Sequence, residues 1–233
     1  MDNLHAGRYF LQDIYRTNVE SILRENEKLS VAVIGADRNE VEYIYLLKKK
    51  AISKSEFFGI STEENYLDLN EIAIEDYSSS KKVFDLVICC QVLEHVWNLN
   101  TAIQNLASLV RVGGYIWINT PASNLKHGSP NYFSAGYQSE LFERLFESHG
   151  FKSLSRGEIG TKRLYCMTHE QQYWPSHKIL VNPFLRGIES RPYLFPLKFL
   201  RFFVRNFRAF LWSNKLEHSS QWATETYFFA VKS

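Results

Sequence analysis

At 233 residues the chain is long enough for one large domain that buries its core without disulfide or metal staples. A net charge of +2 sets up no global field for nucleic acid. The 45% hydrophobic and 22% charged content is ordinary for a soluble globular protein. Cys89, Cys90 and Cys166 show no CxxC or Cys/His spacing, so no metal site is expected. They read as small buried hydrophobes in a reducing compartment. Met1-Asp2-Asn3-Leu4-His5 lacks the basic start of a secretory signal. No run approaches the roughly 18 apolar residues needed to span a bilayer. The expectation is a cytoplasmic protein, with contact at a membrane surface left open.

Residues 8–27 have helical spacing, with apolar positions at Phe10, Leu11, Ile14, Val19, Ile22 and Leu23. They form an N-terminal helical segment within 1–28. A first strand, Val31–Ile34, stops at Gly35. Residues 38–50 return to helical spacing through Val41, Ile44, Tyr45 and Leu47. Lys48, Lys49 and Lys50 close that helix and complement its dipole. A second strand is predicted at Phe57–Ile60, and a weak third at Tyr66–Leu67, ending at Asp68. Val83–Cys90 is the strongest strand, nearly all apolar, as for one buried on both faces of a parallel sheet. In it Cys89 and Cys90 point to opposite faces. A helix at about 99–110 is closed by Gly113-Gly114, and a strand follows at Tyr115–Asn119. Residues 136–149 form an amphipathic helix stopped by Gly150. Strands near 151–158 and 226–232 complete a single α/β domain over 1–233, with an aromatic-rich insertion at 165–222.

Strands alternating with helices imply a mostly parallel, doubly wound sheet whose ligands sit beyond the carboxyl ends of the strands. Two segments occupy such ends. Phe84-Asp85-Leu86-Val87-Ile88-Cys89-Cys90-Gln91-Val92-Leu93-Glu94-His95-Val96 resembles the fourth strand and following loop of class I S-adenosylmethionine-dependent methyltransferases of the type 11 kind. Leu109-Val110-Arg111-Val112-Gly113-Gly114-Tyr115-Ile116-Trp117-Ile118-Asn119-Thr120-Pro121 resembles that family's helix end, Gly-Gly turn and fifth strand. With His127-Gly128-Ser129-Pro130 and 141–151, the resemblance covers about residues 30–160 and a last strand.

The resemblance implies a seven-stranded Rossmann-like sheet and S-adenosyl-L-methionine as cofactor. It places Gly35, Ala36 and Asp37 in the first loop, Ser61 near the ribose, Asp68 beside the adenine amine and Leu69 on the ring. Cys90 and Gln91 meet the methionine part. The chain departs from the pattern at two anchors. Val33 stands where the family has an acid, and Asp37 and Asn39 stand where it has glycines. Asp37 is one stand-in for the lost acid. Ser61, followed by Glu63 and Glu64, replaces the ribose acid. Asn and Asp tolerate the left-handed conformation that the glycines supply. A non-catalytic binding or scaffold protein with the same fold is the alternative these changes raise.

A hydroxyl acceptor loses a proton as it attacks, so a base helps. His127, after the fifth strand, is the first candidate. His95, at a helix start that weakens its hold on a proton, is the second. His149 fits a helix end capping carbonyls. The expected acceptor is a small molecule or a glycan, including a lipid-linked surface polysaccharide.

Within the insertion, Lys198, Arg201, Arg205 and Arg208 share one face of a helix at 196–212, and Phe199, Phe202, Phe203, Phe207 and Phe210 are among those filling the rest. This basic amphipathic helix is a lid, an anionic-membrane contact or a self-association surface. No second basic domain points to nucleic acid.

Overall fold

The computed structural model describes residues 6–35, 40–59, 69–71, 83–124, 130–160, 165 and 222–233, with side chains from residue 11 onward. Six strands form one sheet: β1 (Leu29–Ile34), β2 (Ile52–Phe58), β3 (Phe84–Cys90), β4 (Val110–Pro121), β5 (Phe151–Ile159) and β6 (Glu225–Lys232). Their spatial order is β2-β1-β3-β4-β6-β5. The first four are mutually parallel. β6 runs antiparallel to both β4 and β5. The seventh strand expected at 66–67 falls outside the described residues.

β3 shows why an unbroken apolar run makes a central strand. Leu86, Val87, Ile88 and Cys89 have no solvent exposure, because both faces of the sheet are covered. On one face Ala32, Ile34, Val87, Cys89, Ile116, Ile118 and Phe228 pack with two helices. These are α3 (Leu99–Leu109), which contributes Ala102, Ile103 and Leu106, and α4 (Ser139–Glu147), which contributes Phe142 and Phe146. On the other, Val31, Val33, Ile88, Cys90, Trp117 and Phe229 meet α1 (Ala6–Leu23) and α2 (Val41–Lys48). Cys89 and Cys90 therefore belong to different cores, as their alternation predicts. Each large apolar side chain so buried contributes about 1.5–3 kcal/mol.

Three elements differ from their sequence patterns. α2 buries Glu42, Tyr43 and Leu46 and leaves Leu47 55% exposed, so the Val41/Ile44/Leu47 face is not its inner face. Tyr43 and Leu46 turn inward to meet the β1 valines, and Lys50, at φ 56°, ends the helix in the left-handed conformation. β2 begins at Ile52 rather than Phe57. It is the edge strand of the described sheet, so its Lys54-Ser55-Glu56 centre carries no apolar signal. β4 begins at Val110, which pairs with Phe84 before the ladder resumes at Leu86 and Tyr115. The Gly113-Gly114 turn is thus an excursion within the strand, with Gly113 at φ 73°.

Asp85 ties the first three strands of the sheet's centre together. It accepts from the Ser30 amide (2.7 Å) and hydroxyl (2.6 Å) on β1 and from Arg111 Nε (2.5 Å) on β4. At the opposite edge, β5 and β6 meet in a narrow neck. Thr224 N donates to Ile159 O at 2.9 Å, Ala122 N donates to Thr224 O at 3.0 Å, and the Tyr165 and Trp222 rings lie 5.5 Å apart. No described helix is long and apolar enough to cross a membrane.

Candidate functional site

The chain leaves β1 for β2 on one side and later returns to β3 on the other. The carboxyl ends of β1 and β3 therefore flank a topological switch point, where open α/β sheets place ligands. Gly35 follows β1 at φ 70°, a conformation that glycine adopts without cost, and its N–H donates to Phe58 O at 2.8 Å.

On the other side of the switch point, Gln91 follows β3 at φ 56°, unusual for a residue with a Cβ. Such a conformation costs about 1–3 kcal/mol and persists where the surroundings over-determine it. They do so here. Gln91 N donates to Asn119 O at 2.8 Å, and its Nε2 donates to Asn119 Oδ1 at 2.8 Å and Glu225 Oε2 at 2.9 Å. Asn119 Nδ2 donates to the same Glu225 oxygen at 3.1 Å and to Thr226 O at 3.1 Å. The Gln91 side chain is thus committed to β4 and β6.

On the α1/α2 side of this edge, carboxylate oxygens of Glu40 and Glu42 and the Cys90 sulfur lie within 4.8 Å of one another. Glu40 caps α2 by accepting from Val41 N at 3.2 Å. Glu42 is 2% exposed. Tyr15, from α1, is 1% exposed, packs edge-on to Trp117 at 5.1 Å, and its hydroxyl makes no hydrogen bond among the described residues. Burial pushes this phenol well above the usual tyrosine range, and the Glu42 carboxylate, the Cys90 sulfur, Tyr45 and Glu40 push it further. One of these carboxylates is buried and the other partly so; held this close they repel when both are ionised, and a cation beside them relieves the repulsion.

A second constellation lies past β3. His95 sits in a single 3-10 turn, Leu93–His95, rather than on a longer helix. Its Nδ1 lies 2.5 Å from Asn131 O. A carbonyl only accepts, so Nδ1 is the donor in this contact and Nε2 is the ring nitrogen not engaged by it. Nε2 is 3.9 Å from a Glu94 carboxylate oxygen. The 130–134 segment is laid against this turn. Phe133 N and Ser134 N donate to Glu94 O, and the Tyr132 ring meets the His95 ring edge-on. Further along the carboxyl edge, a cleft of about 530 Å³ opens between Ser123, Gln138, Glu140, Glu158, Tyr165 and Trp222. That volume is within the range of small-ligand sites.

Of the residues singled out from sequence, Gly35 and Cys90 come together at the switch point, and Gln91 lies beneath it. Leu69 is buried in the α3/α4 core, and its carbonyl is 3.4 Å from Asn105 Nδ2. His149 follows α4, where its amide donates to Phe146 O. Ala36, Asp37, Ser61, Asp68, His127 and the helix expected at 196–212 lie outside the described residues. Tyr15, Glu42, Asn119 and Glu225 were not anticipated. Glu42 had a readable signal, since it lies four residues before the inward Leu46 and so on the same helix face. Asn119 and Glu225 had none, because their pairing crosses more than a hundred residues.

A family model described as a methyltransferase domain matches residues 17–156, more than half of the chain. A relative from Albidiferax ferrireducens, named ubiquinone biosynthesis O-methyltransferase, is 24% identical over 159 residues. That match takes in 67% of this chain and 60% of the relative, so the chain spans less than two thirds of that protein's length. Among solved structures, a "putative sarcosine dimethylglycine methyltransferase" from Galdieria sulphuraria aligns with a TM-score of 0.58 at 12% identity, covering 97% of this chain and 86% of that one. The [4+2]-cyclase SpnF aligns at 0.51 and 10% identity, covering 95% and 82%. These last two share the fold with this chain.

Proposed function

Because the chain belongs to the methyltransferase-domain family, whose fold it has, we propose that it moves a methyl group from S-adenosylmethionine to an oxygen of a small-molecule or glycan acceptor. The observation that carries this reading is the topological switch point itself, where Gly35 after β1 and the left-handed turn at Gln91 after β3 end neighbouring parallel strands. The name of the Albidiferax relative supports oxygen as the atom.

The residues present fit such a cofactor. Gly35 leaves the backbone free of a Cβ at the end of β1, and the buried Tyr15 hydroxyl, without a hydrogen bond among the described residues, with carboxylates on the same face of the sheet, suits a cationic end. When bound, S-adenosylmethionine supplies a methyl group on a sulfonium, which needs an aligned nucleophile rather than covalent help. The Gln91–Asn119–Glu225 network holds the turn after β3 in its left-handed conformation, so the strand end is set before any ligand arrives. His95, fixed by Asn131, presents Nε2 as the nitrogen able to take the acceptor's proton. Asp68, Ser61 and Asp37 remain the proposed adenosine and first-loop contacts, and His127 the other proposed base.

The cyclase neighbour shows that this fold also serves other chemistry, so the test must read methyl transfer itself. Calorimetry with S-adenosylmethionine, followed by transfer of labelled methyl to a panel of phenols, sugars and isoprenoid-linked glycans, tests the reading. Micromolar binding and a labelled O-methyl product are expected. Binding without transfer to any acceptor favours the non-catalytic alternative, and no binding ends the cofactor reading.

A further inference from the structure

We propose that Glu42, with Glu40 beside it, holds the α-ammonium group at the methionine end of the cofactor, in place of the strand carboxylate that this chain lacks at Val33. The inference rests on the cofactor reading above.

Alternation along β1 puts Val31 and Val33 on the α1/α2 face and Ala32 and Ile34 on the other. A carboxylate at position 33 would therefore emerge among Tyr15, Tyr43, Ile88 and Cys90, the cluster that surrounds Val33. The chain has a fully buried valine there. It instead brings a carboxylate to the same side from the first turn of α2. Glu42 is almost fully buried, with an oxygen within 4.8 Å of the Cys90 sulfur at the end of β3. The acid has moved from strand to helix while the side of the sheet it serves is unchanged.

The Tyr15 hydroxyl is the second, independent observation. It is 99% removed from solvent, faces the electrostatic influence of Glu42, Cys90 and Glu40, and has no hydrogen-bond partner among the described residues. A buried hydroxyl left unpaired costs about 1–3 kcal/mol, so its place is one where a ligand completes the bonding. An ammonium group offers three donors, which matches two carboxylates and one phenol oxygen.

Calorimetry on the full chain separates this from a general cofactor site. S-adenosylhomocysteine carries the ammonium group, and 5′-methylthioadenosine carries the same adenosine thioether without the amino acid. Glu42→Gln is expected to weaken S-adenosylhomocysteine about tenfold or more and 5′-methylthioadenosine less than about twofold. Should Glu42→Gln fail to fold, Tyr15→Phe, which removes one hydroxyl and keeps the ring, is expected to show the same selectivity at several-fold. Unchanged S-adenosylhomocysteine affinity in these variants, or equal loss of both ligands, overturns the assignment while leaving the cofactor site standing. A wild-type chain that binds neither compound refutes the cofactor reading and this inference with it.

Discussion

Gln91 and Glu225 stand 134 residues apart in the chain and meet at 2.9 Å, Nε2 to Oε2, joining the end of β3 to the start of β6. The last strand thereby governs the conformation of a turn in the first half of the protein.

Glu225→Ala is expected to lower stability by about 2 kcal/mol or more in urea unfolding, because it orphans amide donors of both Gln91 and Asn119. It should also weaken S-adenosylhomocysteine binding, since the φ 56° turn loses its support. Adding Gln91→Gly is expected to recover part of the binding, as glycine needs no help to hold positive φ. Unaltered binding in Glu225→Ala would separate the network from the crevice.

Asp85 gives a pH-dependent stability with a definite sign. Burial pushes its carboxyl up, but the Ser30 hydroxyl and amide and the Arg111 guanidinium outweigh that and hold the pKa below the ordinary aspartate value. A depressed folded value means that the stabilisation is fully present above the unfolded value of about 3.9 and is lost as pH falls through the folded one. Urea midpoints of wild type and Asp85→Asn should differ by a constant amount from pH 5 to 8. That gap should narrow below about pH 4. A gap independent of pH would place the effect in packing rather than charge.

Gly160 is a steric requirement of the neck. A Cβ there would lie 2.2 Å from Trp222 O and 2.6 Å from Ala223 Cα, both backbone atoms that cannot rotate away. Gly160→Ala should lower the melting temperature by several degrees, the scale of about 1–3 kcal/mol of overpacking. Gly150→Ala offers the comparison: no atom lies within 4 Å of its Cβ, so its cost comes from φ 79° alone.

The basic amphipathic helix expected from sequence at 196–212 is proposed to bind anionic surfaces. Sedimentation with vesicles containing phosphatidylserine should deplete the wild-type chain, and Arg201→Gln/Arg205→Gln/Arg208→Gln should abolish the depletion. Equal sedimentation of the two would remove the membrane from consideration.

The segments legible in the sequence are those whose signal is local. The apolar run of β3, the alternation that splits Cys89 from Cys90, and the aromatic stripe of α4 follow from period and composition, and the structure has all three. α2 misled because Tyr43 and Leu46 on one side and Val41, Ile44 and Leu47 on the other offer two apolar stripes. Only the position of β1 decides between them. Part of the candidate site was legible. Gly35 and Cys90 stand at strand ends, where a sequence pattern finds them. Glu42 and Tyr15 acquire meaning only when two helices settle on one face of the sheet.

The neck between β5 and β6 also determines how this protein can change. Ile159 and Thr224 are bonded neighbours although the polypeptide travels far between them, so the ladder holds both ends at a fixed, short separation. Closing a loop costs only slowly more as it lengthens. The intervening stretch can therefore be shortened, extended or exchanged without shifting the register of the strands on either side of it, so that part of the chain is free to diverge while the sheet stays as it is.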